Sequence, residues 1–121
     1  MTKKKFSETK ALLSLTLNRL DVAETALGAA LRRLSALDAA IAALVIDRAR
    51  TADLLSLAAV EPMRRMAALR IEEMRRERRA LETECEARQD ETRQLLRQRI
   101  VLEAELTVLE DETLRRRRNR A

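Results

Sequence analysis

The sequence has no histidine, tryptophan or tyrosine, and one residue each of phenylalanine, glycine, proline and cysteine. Each scarcity removes a class of chemistry. Without histidine there is neither an imidazole general base nor an imidazole metal ligand. One glycine cannot build a phosphate-cradling loop, and Gly28 lies inside an alanine-rich helical stretch, where it reads as a tolerated helix-interior residue. The lone Cys85 cannot close an intramolecular disulfide; set between Glu84 and Glu86, it lacks the electropositive surroundings that activate a thiol and reads as a small core filler. The near absence of aromatics and turn residues makes a multi-element globule hard to build. It also argues against readers of nucleic-acid sequence or single strands, which stack bases on aromatic rings. These absences point to a non-enzymatic protein without a cofactor.

What is present is leucine, alanine, arginine and glutamate. Apolar residues make up 46% of the chain and charged residues 37%, with a formal net charge of +5. That mixture is typical of long helices and coiled coils. Disorder is the alternative such charge allows, but the apolar residues are abundant and periodic. The most apolar run, Ala36 to Ile46, is too short to span a bilayer and is bounded and broken by Asp38 and Asp47. Lys3, Lys4 and Lys5 lead into an amphipathic stretch and not into a secretory signal. The expectation is a cytoplasmic chain, with peripheral association at a membrane face allowed.

Phe6, Leu13, Leu20, Leu27, Leu34, Ile41, Arg48 and Leu55 lie seven apart, with Leu17, Leu31 and Val45 as companions four residues on, interrupted by Glu24 and Asp38. A second series runs Ala67, Met74, Leu81, Arg88, Leu95, Leu102 and Leu109, with companions at Ile71, Arg78, Cys85, Thr92, Arg99 and Leu106. A seam this long predicts a coiled coil. It changes phase beside the only proline, and Pro62 suits the first position of a new helix. The fold class predicted is therefore all-α: one antiparallel two-helix coiled-coil hairpin, with helix 1 over about 7–59, a turn at Val60–Pro62 and helix 2 over about 63–117. At 1.5 Å per residue each arm would be roughly 80 Å long. Folding about residue 61 sets Ile41 against Leu81, Leu27 against Leu95 and Leu20 against Leu102. The companions pair Leu17 with Leu106, Ala52 with Ile71 and Glu24 with Arg99, and put Asp38 near Cys85 and Arg88.

The hairpin has chemically different poles. Lys3, Lys4 and Lys5 meet Arg115, Arg116, Arg117, Arg118 and Arg120 at the end where both termini lie, an electropositive pole suited to an acidic surface, nucleic acid or anionic membrane. Without aromatics or a recognition fold, sequence-specific nucleic-acid binding is not expected. At the other pole Met63, Arg64, Arg65 and Met66, among Leu54, Leu55, Leu57, Val60 and Leu69, form a flexible apolar and basic tip. It serves either the turn's own burial or an adaptable contact. After Pro62 there are 16 basic and 13 acidic residues, against 9 and 7 up to it. The seam is thin between Arg75 and Gln94, so this stretch is expected to be the softest.

Stretches such as MRRMAALRIEEMRRERRALE and the closing LRRRRNRA, in a chain with this composition and this two-helix plan throughout, resemble the FliJ/YscO family. These are the small coiled-coil stalk proteins of flagellar and injectisome type III export machines. The resemblance implies a monomeric rod in the central pore of a hexameric export ATPase, with contacts to the export gate and to secretion chaperones. The paired termini would enter the ATPase and the Pro62 end would face other partners. Two other readings stay open: a helical secretion chaperone that binds a secreted subunit's tail, and a structural coiled coil that dimerises in parallel or as a four-helix bundle through the tip.

Overall fold

The computed structural model describes the backbone of residues 2–54 and 57–120 and the side-chain burial of residues 3–50 and 61–120. Strong helix formers fill the chain, and it folds as two helices: α1, Thr2–Leu54, and α2, Leu57–Arg120. There is no strand among the described residues. The helices pack against each other as an all-α helical hairpin. Cross-helix ion pairs set its sense: Arg33 meets Glu84, and Asp38 meets Arg78. As α1 advances by five residues, α2 runs back by six, so the helices are antiparallel.

The break falls earlier than the proline. Val60, Glu61 and Pro62 all lie inside α2, and residues 55 and 56, between the two helices, are outside the described residues. Pro62 is thus the sixth residue of α2 and not its first. At that depth its ring removes a backbone donor and crowds the carbonyl four residues back. The expected companion position Ala52 and the tip side chains of Leu54, Leu55, Leu57 and Val60 lie outside the described residues.

Burial identifies the packed stripe on each helix. On α2 it follows the sequence expectation at each companion: Ile71, Cys85 and Thr92 are buried, and Arg78, Arg99 and Leu106 are half-buried, with Leu95 and Leu109 buried in the main series. On α1 the main series Phe6, Leu13, Leu20, Leu27, Leu34 and Ile41 also faces inward. Its companions are instead three residues on: Thr9, Thr16, Ala23 and Ala30 are buried, and Leu37 and Leu44 half-buried. Leu17, Leu31 and Val45, the expected companions, are 40%, 41% and 44% exposed. Thr9, Thr16, Ala23 and Ala30 carry small side chains, so the backbones can approach closely along this part of the seam.

The register is displaced from the expected one by a single heptad. Leu95 shares a buried cluster with Leu20 and Ala23, where folding about residue 61 had paired it with Leu27. Asp38 pairs with Arg78, seven residues from the expected Cys85. Glu24 and Arg99 make no ion pair with each other among the described residues; the Arg99 guanidinium bonds Glu103 within α2, at 2.9 Å. A heptad repeat looks the same after a slide of seven, so only the position of the connection fixes the register. Placing the connection at Pro62 carried the whole ladder with it.

Contacts group the chain into two compact units. A terminal unit holds Met1–Ala26 and Arg88–Ala121, and a central unit holds Leu27–Ala87. In the terminal unit the buried threonines keep their hydroxyls local. Thr16 donates to the Leu12 carbonyl and Thr92 to the Arg88 carbonyl, each at 2.9 Å. This return bond satisfies a buried hydroxyl without a cross-helix partner. No buried side-chain polar atom among the described residues lacks a partner.

Candidate interaction surfaces

Two helices cannot enclose a cavity, and the depressions along this hairpin are open grooves at the seam margins. The central unit has one between Arg33, Ala36 and Ala40 of α1 and Glu77, Ala80 and Glu84 of α2, bridged by the Arg33–Glu84 ion pair at 3.4 Å. On the other margin, Asp38 accepts a hydrogen bond from Arg78, which also reaches Glu82 at 3.1 Å. That bond, then the charges of Asp38 and Glu82, hold the Arg78 guanidinium above its ordinary range. No group of three or more acidic or cysteine side chains among the described residues is arranged to hold a metal ion. No helix among the described residues is long and apolar enough to cross a membrane.

The basic residues expected at the termini lie in the terminal unit, all exposed. Extending the Leu20–Leu95 register outward places Lys3, Lys4 and Lys5 level with Glu110, Asp111 and Glu112. Arg115, Arg116, Arg117, Arg118 and Arg120 continue past that level. The two basic clusters therefore share one end, but an acidic run accompanies the lysines while the arginines stand beyond it. Arg117, Arg118 and Arg120 occupy the last turn of α2, where positive charge complements the helix dipole.

Met63, Arg64, Arg65 and Met66, expected at the turn, are part of α2 in the central unit. They are not consumed by local packing: Met63 is 50% and Met66 73% exposed, and neighbouring Leu69 62%. Arg64 and Arg65 are exposed beside them.

A further surface was missed in the sequence. In the terminal unit Leu12, Leu15 and Val22 of α1 and Val101 and Val108 of α2 are between 45% and 69% exposed. Each precedes a seam position by one residue, so all five lie on the same margin of the hairpin. An open groove of about 420 Å³ there is lined by Leu12, Leu15 and Arg19 from α1 and by Arg97, Gln98 and Val101 from α2. The signal was present as spacing: positions 12, 15, 19 and 22 and positions 94, 98, 101, 105 and 108 repeat with the seam's own period.

No protein-family model matches the chain, and it matches neither a curated protein nor a solved structure.

Proposed function

We propose that this chain is a non-catalytic coiled-coil component of a type III export apparatus, flagellar or injectisome, that acts as a stalk docking in the hexameric export ATPase. On this reading it works in the cytoplasm or at the cytoplasmic face of the inner membrane, and it also meets the export gate or secretion chaperones. The observation that carries the proposal is the terminal end of an antiparallel hairpin: two helix ends bearing exposed lysines and arginines, with Arg115, Arg116, Arg117, Arg118 and Arg120 standing beyond the acidic run at Glu110, Asp111 and Glu112. Such an end suits an acidic, ring-lined socket better than a small ligand, because arginine forks pair with carboxylates in defined geometry. The exposed Met63, Arg64, Arg65 and Met66 segment offers an adaptable second contact for a gate or chaperone partner.

The test is to mix the chain with the export ATPase of its own host and to measure co-elution and ATP turnover. Association with altered turnover is expected, weakening as salt rises and on replacing Arg115, Arg116 and Arg117 together by glutamate. No association at low salt, with turnover unchanged, would remove the reading.

A further inference from the structure

The end of the central unit where the two helices connect carries more arginine than its seam can use. The cross-helix pairs Arg33–Glu84 and Asp38–Arg78 fix the local register. Carried toward the connection, that register puts Arg48 and Arg50 of α1 level with residues 66–69 of α2, within about a turn of Arg64 and Arg65. All four are exposed. Arg48 and Arg64 continue the seam series of their helices, while Arg50 and Arg65 occupy outer positions, so the collar faces several directions at one level. None of the four has an ion pair among the described residues. Nearby acids do not cancel them. Over residues 45–70 these four and Arg70 stand against Asp47, Asp53 and Glu61, and Asp47 falls level with Arg70.

Among these arginines Met63, Met66 and Leu69 follow one another at three-residue spacing along α2, each half exposed or more. The sequence between Arg50 and Arg64 adds Leu54, Leu55, Leu57 and Val60, whose side chains lie outside the described residues. Exposed methionine and leucine ringed by arginine suit the boundary between lipid headgroups and acyl chains. Thioether and alkyl groups enter the apolar layer there, while long cationic side chains stay with the phosphates. A guanidinium fork matches a phosphate as well as it matches a carboxylate. The spread of the collar selects lipid over a protein groove: a groove meets one side of it, and a continuous phosphate layer meets all of it. Glu72 and Glu73 close the patch on α2, so the contact ends at that turn.

We propose that this end of the central unit docks on an anionic phospholipid bilayer, with Arg48, Arg50, Arg64 and Arg65 on headgroup phosphates and Met63 and Met66 in the acyl boundary. Asp53 and Glu61 keep the contact shallow. The inference takes the Met63–Met66 segment for lipid in place of a gate or chaperone, and it leaves the terminal end to the ATPase. Vesicle binding is measured without any ATPase, so this inference and the export reading can fail separately.

The test puts a polarity-sensitive dye on Met66→Cys in a full-length Cys85→Ala chain. The C-terminal arginines would adsorb to anionic vesicles by charge alone, so Arg115, Arg116, Arg117, Arg118 and Arg120 are changed to glutamine in this chain. Circular dichroism on each variant checks that it remains helical. Vesicles of phosphatidylcholine mixed with phosphatidylglycerol shift the dye to the blue; vesicles of phosphatidylcholine alone do not. The lipid concentration that gives half the shift rises with salt. Changing Arg64 and Arg65 to glutamine raises it about thirtyfold, the loss of two charges near the surface. Glu61→Gln lowers it. No shift on the mixed vesicles, an equal shift on the neutral ones, or indifference to the Arg64 and Arg65 changes would each overturn the proposal. So would a shift that grows with protein concentration in the absence of lipid, which would give this end to a second copy of the chain.

Discussion

The terminal and central units are made from the same two helices but are held differently. In the terminal unit the buried residues include Leu20, Ala23, Leu95 and Leu109, and the pairs Arg93–Asp90 and Arg99–Glu103 lie within α2. In the central unit Ala30, Ile71 and Cys85 are the buried apolar residues described, and the ion pairs Arg33–Glu84 and Asp38–Arg78 cross between the helices. Among the described residues, cross-helix ion pairs are thus a feature of the central unit and buried leucines one of the terminal unit. Burying a leucine contributes about 1.5–3 kcal/mol. Exposed ion pairs are worth about 0–1 kcal/mol each, because solvent screens them and two long side chains must be ordered. The partner-facing features of the protein divide between them: the apolar margin and the basic end lie on the terminal unit, and the Met63–Met66 segment on the central one.

The sharpest test of this difference is to remove a terminal anchor. Leu95→Ala deletes the α2 member of the Leu20 cluster and should destabilise the hairpin by about 3 kcal/mol in a urea melt. Hydrogen exchange should then quicken in residues 1–26 and 88–121. If exchange quickens first in the central unit instead, Leu95 is not the anchor of its own unit. The next test acts from the other side. Ala30 is 0% exposed, and the register sets it level with buried Cys85, so the helices approach closely there. Ala30→Leu should cost about 2 kcal/mol by overpacking, read as a lower melting temperature. Near-neutral behaviour would mean that the central helices can part at little cost.

The same contrast explains which parts of the fold were legible in the residues. The α2 stripe could be read completely, because its main series is leucine-rich and its companions follow at one fixed offset, even where they are Arg78 or Thr92. On α1 the choice of companion was between Leu17, Leu31 and Val45, four residues on, and Thr9, Thr16, Ala23 and Ala30, three residues on. Hydrophobicity favours the first set. Close approach of the helices selects the second, because small side chains fit between near backbones and large ones do not. Closeness is a property of the pair, not visible from either helix alone. The register slid by seven for a related reason: Pro62 was the only punctuation in the chain, but it sits exposed in α2 and punctuates nothing. Leu12, Leu15, Val101 and Val108 lie outside both the expected and the observed seam, so a search for the seam alone passes over the margin they mark. The basic end was legible because it depends only on both termini lying together, whichever heptad pairs with which.

A smaller effect sharpens the description of the central unit. Gly28 is half-buried in the interior of α1, and a methyl group added there would meet only the Arg32 side chain, at 3.6 Å. That is ordinary van der Waals contact with a flexible group. Gly28→Ala should stabilise the hairpin by about 0.5–1 kcal/mol through lower backbone entropy in the unfolded chain. A loss of stability on thermal melting would indicate that the glycine is needed for close packing.

The smallest expected effect belongs to the most conspicuous link, the Asp38–Arg78 pair. Its side chains are 47% and 37% exposed, so water competes for both. Arg78 is also shared with Glu82 on its own helix, and removing Asp38 leaves the guanidinium a partner. A double-mutant cycle of Asp38→Ala and Arg78→Ala should therefore give a small coupling that shrinks further as salt is raised. The sign of any pH effect follows from the raised arginine. A cation held above its unfolded value contributes fully below that value and loses its contribution only as pH climbs through the folded one. Both lie above the range in which the protein works, so titration of Arg78 should leave stability flat with pH. A large coupling, insensitive to salt, would mean that the central unit is pinned by charge after all.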